Sequence, residues 1–325
     1  MAKVTNATLA THVSLGGGFG FVAAGFEGVS GVRRELATVR GILESRGIPH
    51  AFHLPVGVGF MGWKLDEAGP DEALAMLDAA LENNVQAIWL AFGKDLGRWV
   101  EHIRKSDEGH GHKTSVFIMV NTVSEALVAA NELKADVIVA QGIEAGGHGS
   151  REAPSVFTLV SEILAALPKD GPPVLAAGGI ATGNQVAAFL ALGAAGAVLG
   201  TRFLLTPDSL LSPPQREALL QADASSTVRT LAFDRARNVL GWPAGVDGRG
   251  LRNKLVEDVE NGVDPATIQQ RLGSGEPDYS IIFAGTGVGQ MHEIKTAQEI
   301  VKELHDETSH RLHALAHIIH ECTRP

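Results

Sequence analysis

Cysteine is nearly absent: Cys322 is the only one in 325 residues. An intramolecular disulfide is therefore impossible, a cysteine metal centre has no ligand set, and a reducing, cytoplasmic compartment is expected. Positive charge is also in short supply. Lysine and arginine number 27 against 37 aspartates and glutamates, for a net charge of −10. Without a sustained basic run, nucleic acid and anionic membranes are poor candidates for the main partner. An anionic small substrate would need local positive charge. No apolar run approaches ~18 residues, and no basic segment followed by an apolar core opens the chain, which argues against a membrane span and secretion. A Walker loop, an HExxH zinc motif and a GxSxG nucleophile elbow are missing as well. Chemistry borrowed from a cofactor is then more economical than a protein nucleophile.

What the chain has is glycine, 38 residues of it, in a soluble composition of 45% hydrophobic and 20% charged residues. Seven apolar runs read as strands: 19–23, 53–60, 87–92, 115–120, 137–140, 174–177 and 197–199. Amphipathic stretches around 31–46, 71–83, 97–105, 123–134, 154–167 and 183–193 read as the helices between them. Near-continuous apolar strands alternating with helices imply a parallel sheet covered on both faces. Glycine-rich segments follow several different strands, which favours an α/β (β/α)8 TIM barrel over a dinucleotide fold with its single fingerprint loop. Gly16-Gly17-Gly18-Phe19-Gly20 precedes a strand instead of following one, so it is not such a loop.

A barrel needs eight strands, and the absent one should precede the helix-like Asn6 to Leu15. The expectation is a (β/α)8 barrel core over residues 1–206 that lacks its first strand. Residues 207–325, punctuated by Pro207, Pro213, Pro214 and Pro243, are expected to form a helical insertion and C-terminal extension packed on the barrel. Such a segment suits a lid or a homodimer interface.

The chemistry points to three loops. Val137 to Gly149 runs from an apolar strand into glycines carrying one titratable imidazole, His148. Ala176-Ala177-Gly178-Gly179-Ile180-Ala181 and Leu199-Gly200-Thr201-Arg202-Phe203 then sit where a barrel binds phosphate, after its last two strands. Backbone N–H groups of Gly178, Gly179, Gly200 and Thr201 can surround a phosphate that a side chain would obstruct. A phosphate anchor beside a histidine implies a phosphorylated cofactor or substrate across the mouth, and FMN fits both.

Gln141 to His148, Ala177 to Ala181 and Gly193 to Phe203 resemble, in order, the motifs of the nitronate monooxygenase family, formerly 2-nitropropane dioxygenases. Much of the pattern is shared with flavin-dependent enoyl-acyl-carrier-protein reductases and some quinone reductases. The resemblance, spanning roughly Val4 to Gln290, implies an FMN-containing barrel that oxidises a small anionic alkyl nitronate with O2 to a carbonyl compound and nitrite. It places His148 at the catalytic histidine position, where it removes the α-proton of a neutral nitroalkane. A preformed nitronate needs no base. Gln141, Gly178, Gly179, Gly200 and Thr201 fall on FMN-binding positions, the last four serving the phosphate. Gly285 to Gln290 resembles the late loop that returns over the flavin. Family members have a first strand ending in Ala-Pro-Met, and Met1-Ala2 stands where that strand ends, so a start codon further upstream is expected. An NAD(P)H-dependent flavin reductase and a non-catalytic flavin-binding protein are the competing readings.

Other constellations carry less. His310, His313, His317 and His320 at helical spacing read as a solvated helix end rather than a metal site. His110-Gly111-His112 reads as an exposed polar loop beside Lys113. Asp66, Glu67, Asp71 and Glu72 read as charges favourable at a helix start.

Overall fold

The computed structural model describes residues 4–24, 26–48, 53–110 and 112–322. Ten strands form among the described residues: β1 Gly20–Ala23, β2 Leu54–Met61, β3 Val85–Ala91, β4 Ser115–Val120, β5 Val137–Gln141, β6 Gly147–Ser150, β7 Val174–Ala177, β8 Gly196–Val198, β9 Thr227–Thr230 and β10 Val246–Leu251. The seven apolar runs are β1 to β5, β7 and β8. They build one sheet in the order β1-β2-β3-β4-β5-β7-β8, with parallel neighbours throughout. Helices connect them, and side chains fix several starts: Asn6, Thr122, Ser155 and Thr182 each accept a backbone N–H of the first turn.

Alternation along the strands sorts the side chains. Val56, Val58 and Phe60 of β2, Ile88 and Leu90 of β3, and Val116, Ile118 and Val120 of β4 are buried with Leu36, Val39, Leu77 and Ile103 of the helical layer. The opposite face holds Phe21, Trp89 and Phe117. Phe21 and Phe117 approach to 5.2 Å between ring centroids, although β1 and β4 are three strand positions apart. Neighbouring strands lie ~4.8 Å apart, so a flat sheet would separate them by roughly 14 Å. The sheet therefore curls around this aromatic cluster. Gly57 on β2 makes room, since a Cβ there would lie 2.3 Å from the Phe21 ring.

At either edge, β1 pairs only with β2 and β8 only with β7 among the described residues. Met1 and Ala2, which stand where the absent strand is expected to end, lie outside the described residues. The segment after residue 206 differs from the expected run of helices and loops. It contains helices such as Pro213–Gln221 and Pro265–Ser274, but also β9 and β10. These pair antiparallel in the order β6-β10-β9, so the late segment adds its strands to the histidine loop itself. The short polar sequences Thr227-Val228-Arg229-Thr230 and Val246-Asp247-Gly248-Arg249 carry no apolar run, which is why periodicity passes over them.

The final helix, Ala297–Cys322, packs on the helix Gly183–Leu192 through Gly183. A Cβ at Gly183 would lie 2.4 Å from the Leu304 carbonyl oxygen. Its N–H donates to Glu307 at 2.7 Å and its carbonyl accepts from the Thr308 hydroxyl at 3.0 Å. No described helix is long and apolar enough to cross a membrane.

Candidate active site

β5 ends at Gln141, on the inner face of the curled sheet by alternation with Val139. Asn121 at the end of β4 donates to both the Gln141 carbonyl, at 2.7 Å, and its side-chain oxygen, at 3.3 Å. The loop that follows needs glycine for close backbone approach. A Cβ at Gly142 would lie 2.3 Å from the Val156 nitrogen, and one at Gly146 2.4 Å from the Gly285 nitrogen. Gly147 then turns the chain through a left-handed conformation, φ 72°, into β6.

His148 sits on β6 opposite Gly248 of β10. Its Nε2 lies 2.9 and 3.1 Å from the two carboxylate oxygens of Asp234. The side chains are 10% and 1% exposed, so the pair is withdrawn from water. Trp242 stacks on the imidazole, with centroids 3.6 Å apart and planes at 11°, and Phe283 tilts against it at 5.2 Å. Trp242 in turn touches Trp63 in the helix Gly62–Ala68 after β2 and Phe92 just after β3. Gly248 leaves the space that Phe283 fills, because a Cβ there would lie 2.7 Å from that ring.

The two phosphate-type loops converge on the late loop. Gly178 and Gly179 have φ of 119° and 68°, conformations that favour glycine. Gln185 braces their turn by accepting the Ala181 N–H at 2.8 Å and donating to the Gly179 carbonyl at 3.2 Å. The Thr201 hydroxyl accepts the Gly285 N–H at 2.9 Å, and the Thr286 N–H reaches the Glu144 carbonyl at 3.0 Å. A Cβ at Gly179 would lie 2.8 Å from the Thr286 hydroxyl. Residues Gly285 and Thr286 thus touch all three loops. No hydrogen bond among the described residues engages the amide N–H of Gly178, Gly179, Gly200 or Thr201. Unpaired N–H groups on glycines with no obstructing side chain fit a phosphate.

Two arginines flank the histidine loop, each bonded to its backbone. Arg229 on β9 pairs with Asp247 at 2.6 Å and donates to the Gly149 carbonyl at 2.7 Å. Arg249, opposite it on β10, donates to the Ile143 carbonyl at 3.2 Å. Burial, reinforced by the neighbouring Arg229, pulls the Arg249 guanidinium below its ordinary value, against Asp247 and Glu144.

His148, Gln141 and the glycines of both phosphate-type loops therefore gather at the carboxyl ends of the sheet. Asp234, Trp242, Phe283, Arg229 and Arg249 were not legible in the sequence. Asp234 lies 86 residues from its partner on the short helix Ala232–Arg237, where an aspartate ordinarily reads as a first-turn charge. The discounted clusters stay outside the site. His310, His313 and His317 are exposed on the last helix, and no group of three metal-ligating side chains occurs among the described residues. His112 departs from the exposed reading: it is half-buried, stacks on His53 at 4.3 Å and bonds the Val85 carbonyl. Asp66 pairs with Arg98 and Glu67 with Lys64, while Asp71 and Glu72 lie in the first turn of the helix Pro70–Leu81.

A parallel α/β sheet that collects a histidine and two glycine turns with free amide N–H groups beyond its strand ends belongs to the class of cofactor-dependent α/β enzymes. The chain belongs to the nitronate monooxygenase family, whose profile matches residues 71–307. A nitronate monooxygenase of Metarhizium robertsii is 32% identical over 94% of this chain and 88% of its own. Among solved structures, nitroalkane oxidase from Streptomyces ansochromogenes superposes with a TM-score of 0.75 at 25% identity, covering 97% of this chain and 95% of its own. FabK from Thermotoga maritima gives 0.75 at 26% identity, covering 98% and 93%. The chain is accordingly an oxidoreductase of the family that oxidises nitronates.

Proposed function

We propose that this protein is an FMN-dependent nitronate monooxygenase of the cytoplasm, converting alkyl nitronates and O2 to carbonyl compounds and nitrite. One observation carries the assignment: Gly285 and Thr286 join the His148 loop to both glycine cradles, so an anion held by the cradles lies at the same end of the sheet as the imidazole. The N–H groups of Gly178, Gly179, Gly200 and Thr201 hold the FMN phosphate, and Gln141 supports the ring system from the inner face of β5. When bound, the flavin supplies the electron acceptor for the nitronate and the route to O2. His148 takes the α-proton of a neutral nitroalkane, and the aromatic wall of Trp63, Phe92, Trp242 and Phe283 keeps water from that step. A preformed nitronate bypasses the imidazole. The curl of the sheet supports a (β/α)8 barrel whose gap lies between β1 and β8, with the late segment packed on it.

The test is anaerobic mixing of the FMN-loaded protein with an alkyl nitronate, followed by flavin absorbance, with NAD(P)H as the comparison. Rapid bleaching by nitronate is expected. Bleaching by NAD(P)H alone would move the assignment to a flavin reductase, and a protein that rejects FMN would remove it.

A further inference from the structure

We propose that Asp234 is the positioning residue of His148: it fixes the imidazole proton on Nε2 and leaves Nδ1 as the atom that receives the substrate proton. The inference rests on the nitronate monooxygenase reading given above.

Three observations support it. First, both Asp234 oxygens lie within hydrogen-bond distance of Nε2, whereas no described residue bonds Nδ1. Second, Arg237 donates to Asp234 Oδ1 at 3.1 Å. A carboxylate that already receives a guanidinium N–H acts as an acceptor, so the imidazole has to be the donor. A buried carboxylate without these donors would be an uncompensated charge and strongly destabilising. Third, Trp242 lies flat on the ring while Phe283 stands against it, so the imidazole has little freedom to rotate and exchange the roles of its two nitrogens.

The step then balances simply. The α-C–H bond of the nitroalkane breaks, its electron pair moves into the nitro group to give the nitronate, and the proton passes to Nδ1. The imidazolium that forms has its positive charge against Asp234, which strengthens the Nε2–H hydrogen bond as charge develops. A carboxylate that merely anchored β6 to the helix Ala232–Arg237 would make the same contact and fix the same tautomer, but its loss would leave neutral nitroalkane turnover unchanged in a folded protein.

Nitrogen-15 spectra of the histidine-labelled holoenzyme test the tautomer, and turnover of neutral nitroalkane separates the two roles. At about pH 9, well above the ~6.5 reference for imidazole, neutral rings report their tautomer. The His148 signals, identified by their loss in His148→Gln, are expected to show protonated Nε2 and unprotonated Nδ1. Asp234→Asn should disturb that pattern and lower neutral nitroalkane turnover by about 100-fold or more, the usual range of a lost general base. Reduction by preformed nitronate should fall less than nitroalkane turnover does, since that path involves no proton abstraction. Protonated Nδ1 in the wild type, or full nitroalkane turnover in a folded Asp234→Asn protein, would overturn the proposal. If Asp234→Asn does not fold, the wild-type spectrum still tests the proposal, since protonated Nδ1 overturns it. A wild type that oxidises neither substrate would sink the nitronate reading alone, because the nitrogen spectra report the pairing without turnover.

Discussion

Trp242 lies face to face with His148, centroids 3.6 Å apart, and the two side chains arrive from separate layers of the protein. The histidine comes from the loop after β5, the tryptophan from the segment between the helix Ala232–Arg237 and β10. A stacked indole removes water from one face of the imidazole and restricts its rotation. Access to the base is thus governed by a segment remote in sequence from it.

Replacing His148 tests the base directly. His148→Gln should lower nitrite release from a neutral nitroalkane by about 100- to 10,000-fold while nitrite release from preformed nitronate continues. Equal loss with both substrates would mean that the imidazole serves binding or the fold rather than proton abstraction.

The glycine cradle makes a separate prediction. At Gly179, φ is 68° and a Cβ would lie 2.9 Å from the Glu144 Cβ. Gly179→Ala should cost about 1–2 kcal/mol in backbone strain alone. Flavin occupancy, read from the visible-to-protein absorbance ratio after loading, should fall below that of wild type. A variant that binds FMN as tightly as wild type would show that the phosphate lies elsewhere.

Asp136 should make stability pH-dependent. Burial opposes its ionisation, but the Val116 N–H and Arg104, aided by Lys113, outweigh it and hold the carboxyl below its ordinary value. The folded state then binds fewer protons than the unfolded state around the unfolded value of ~3.9, so the contribution is complete above that pH and fades as pH falls through the lower folded value. Asp136→Asn should lose about 2 kcal/mol at neutral pH, the scale of hydrogen bonds to a charged group. Urea melts of the two proteins should converge below about pH 4, again by reference to the ~3.9 unfolded value. A constant gap down to acid would contradict the pairing.

Gly183 should control the last helix. Gly183→Leu places side-chain atoms where the Leu304 carbonyl and Glu307 Cβ now lie. The helix Ala297–Cys322 should detach, seen as faster amide exchange over 297–318, while the helix Gly183–Leu192 keeps its protection. Unchanged exchange would mean that the contact is dispensable.

The sequence alone determined the seven parallel strands, the helices between them and the loops at which the chemistry gathers. These features are local: a strand such as Val116 to Val120 is an apolar run with its own period, and Gly178-Gly179 is a turn whose conformation excludes most side chains. It also supplied His148, because an imidazole among glycines at a strand end is visible without a partner. Only the tertiary structure decided what faces that imidazole. Asp234, Trp242 and Phe283 have no local pattern that distinguishes them from an ordinary helix charge or core aromatics, and β9 and β10 carry no apolar run to betray a strand. Their roles come from long-range pairing of β6 with β10, which is driven by backbone hydrogen bonds and by close glycine contacts such as Gly146 against Gly285, interactions that depend on chain geometry rather than on residue order.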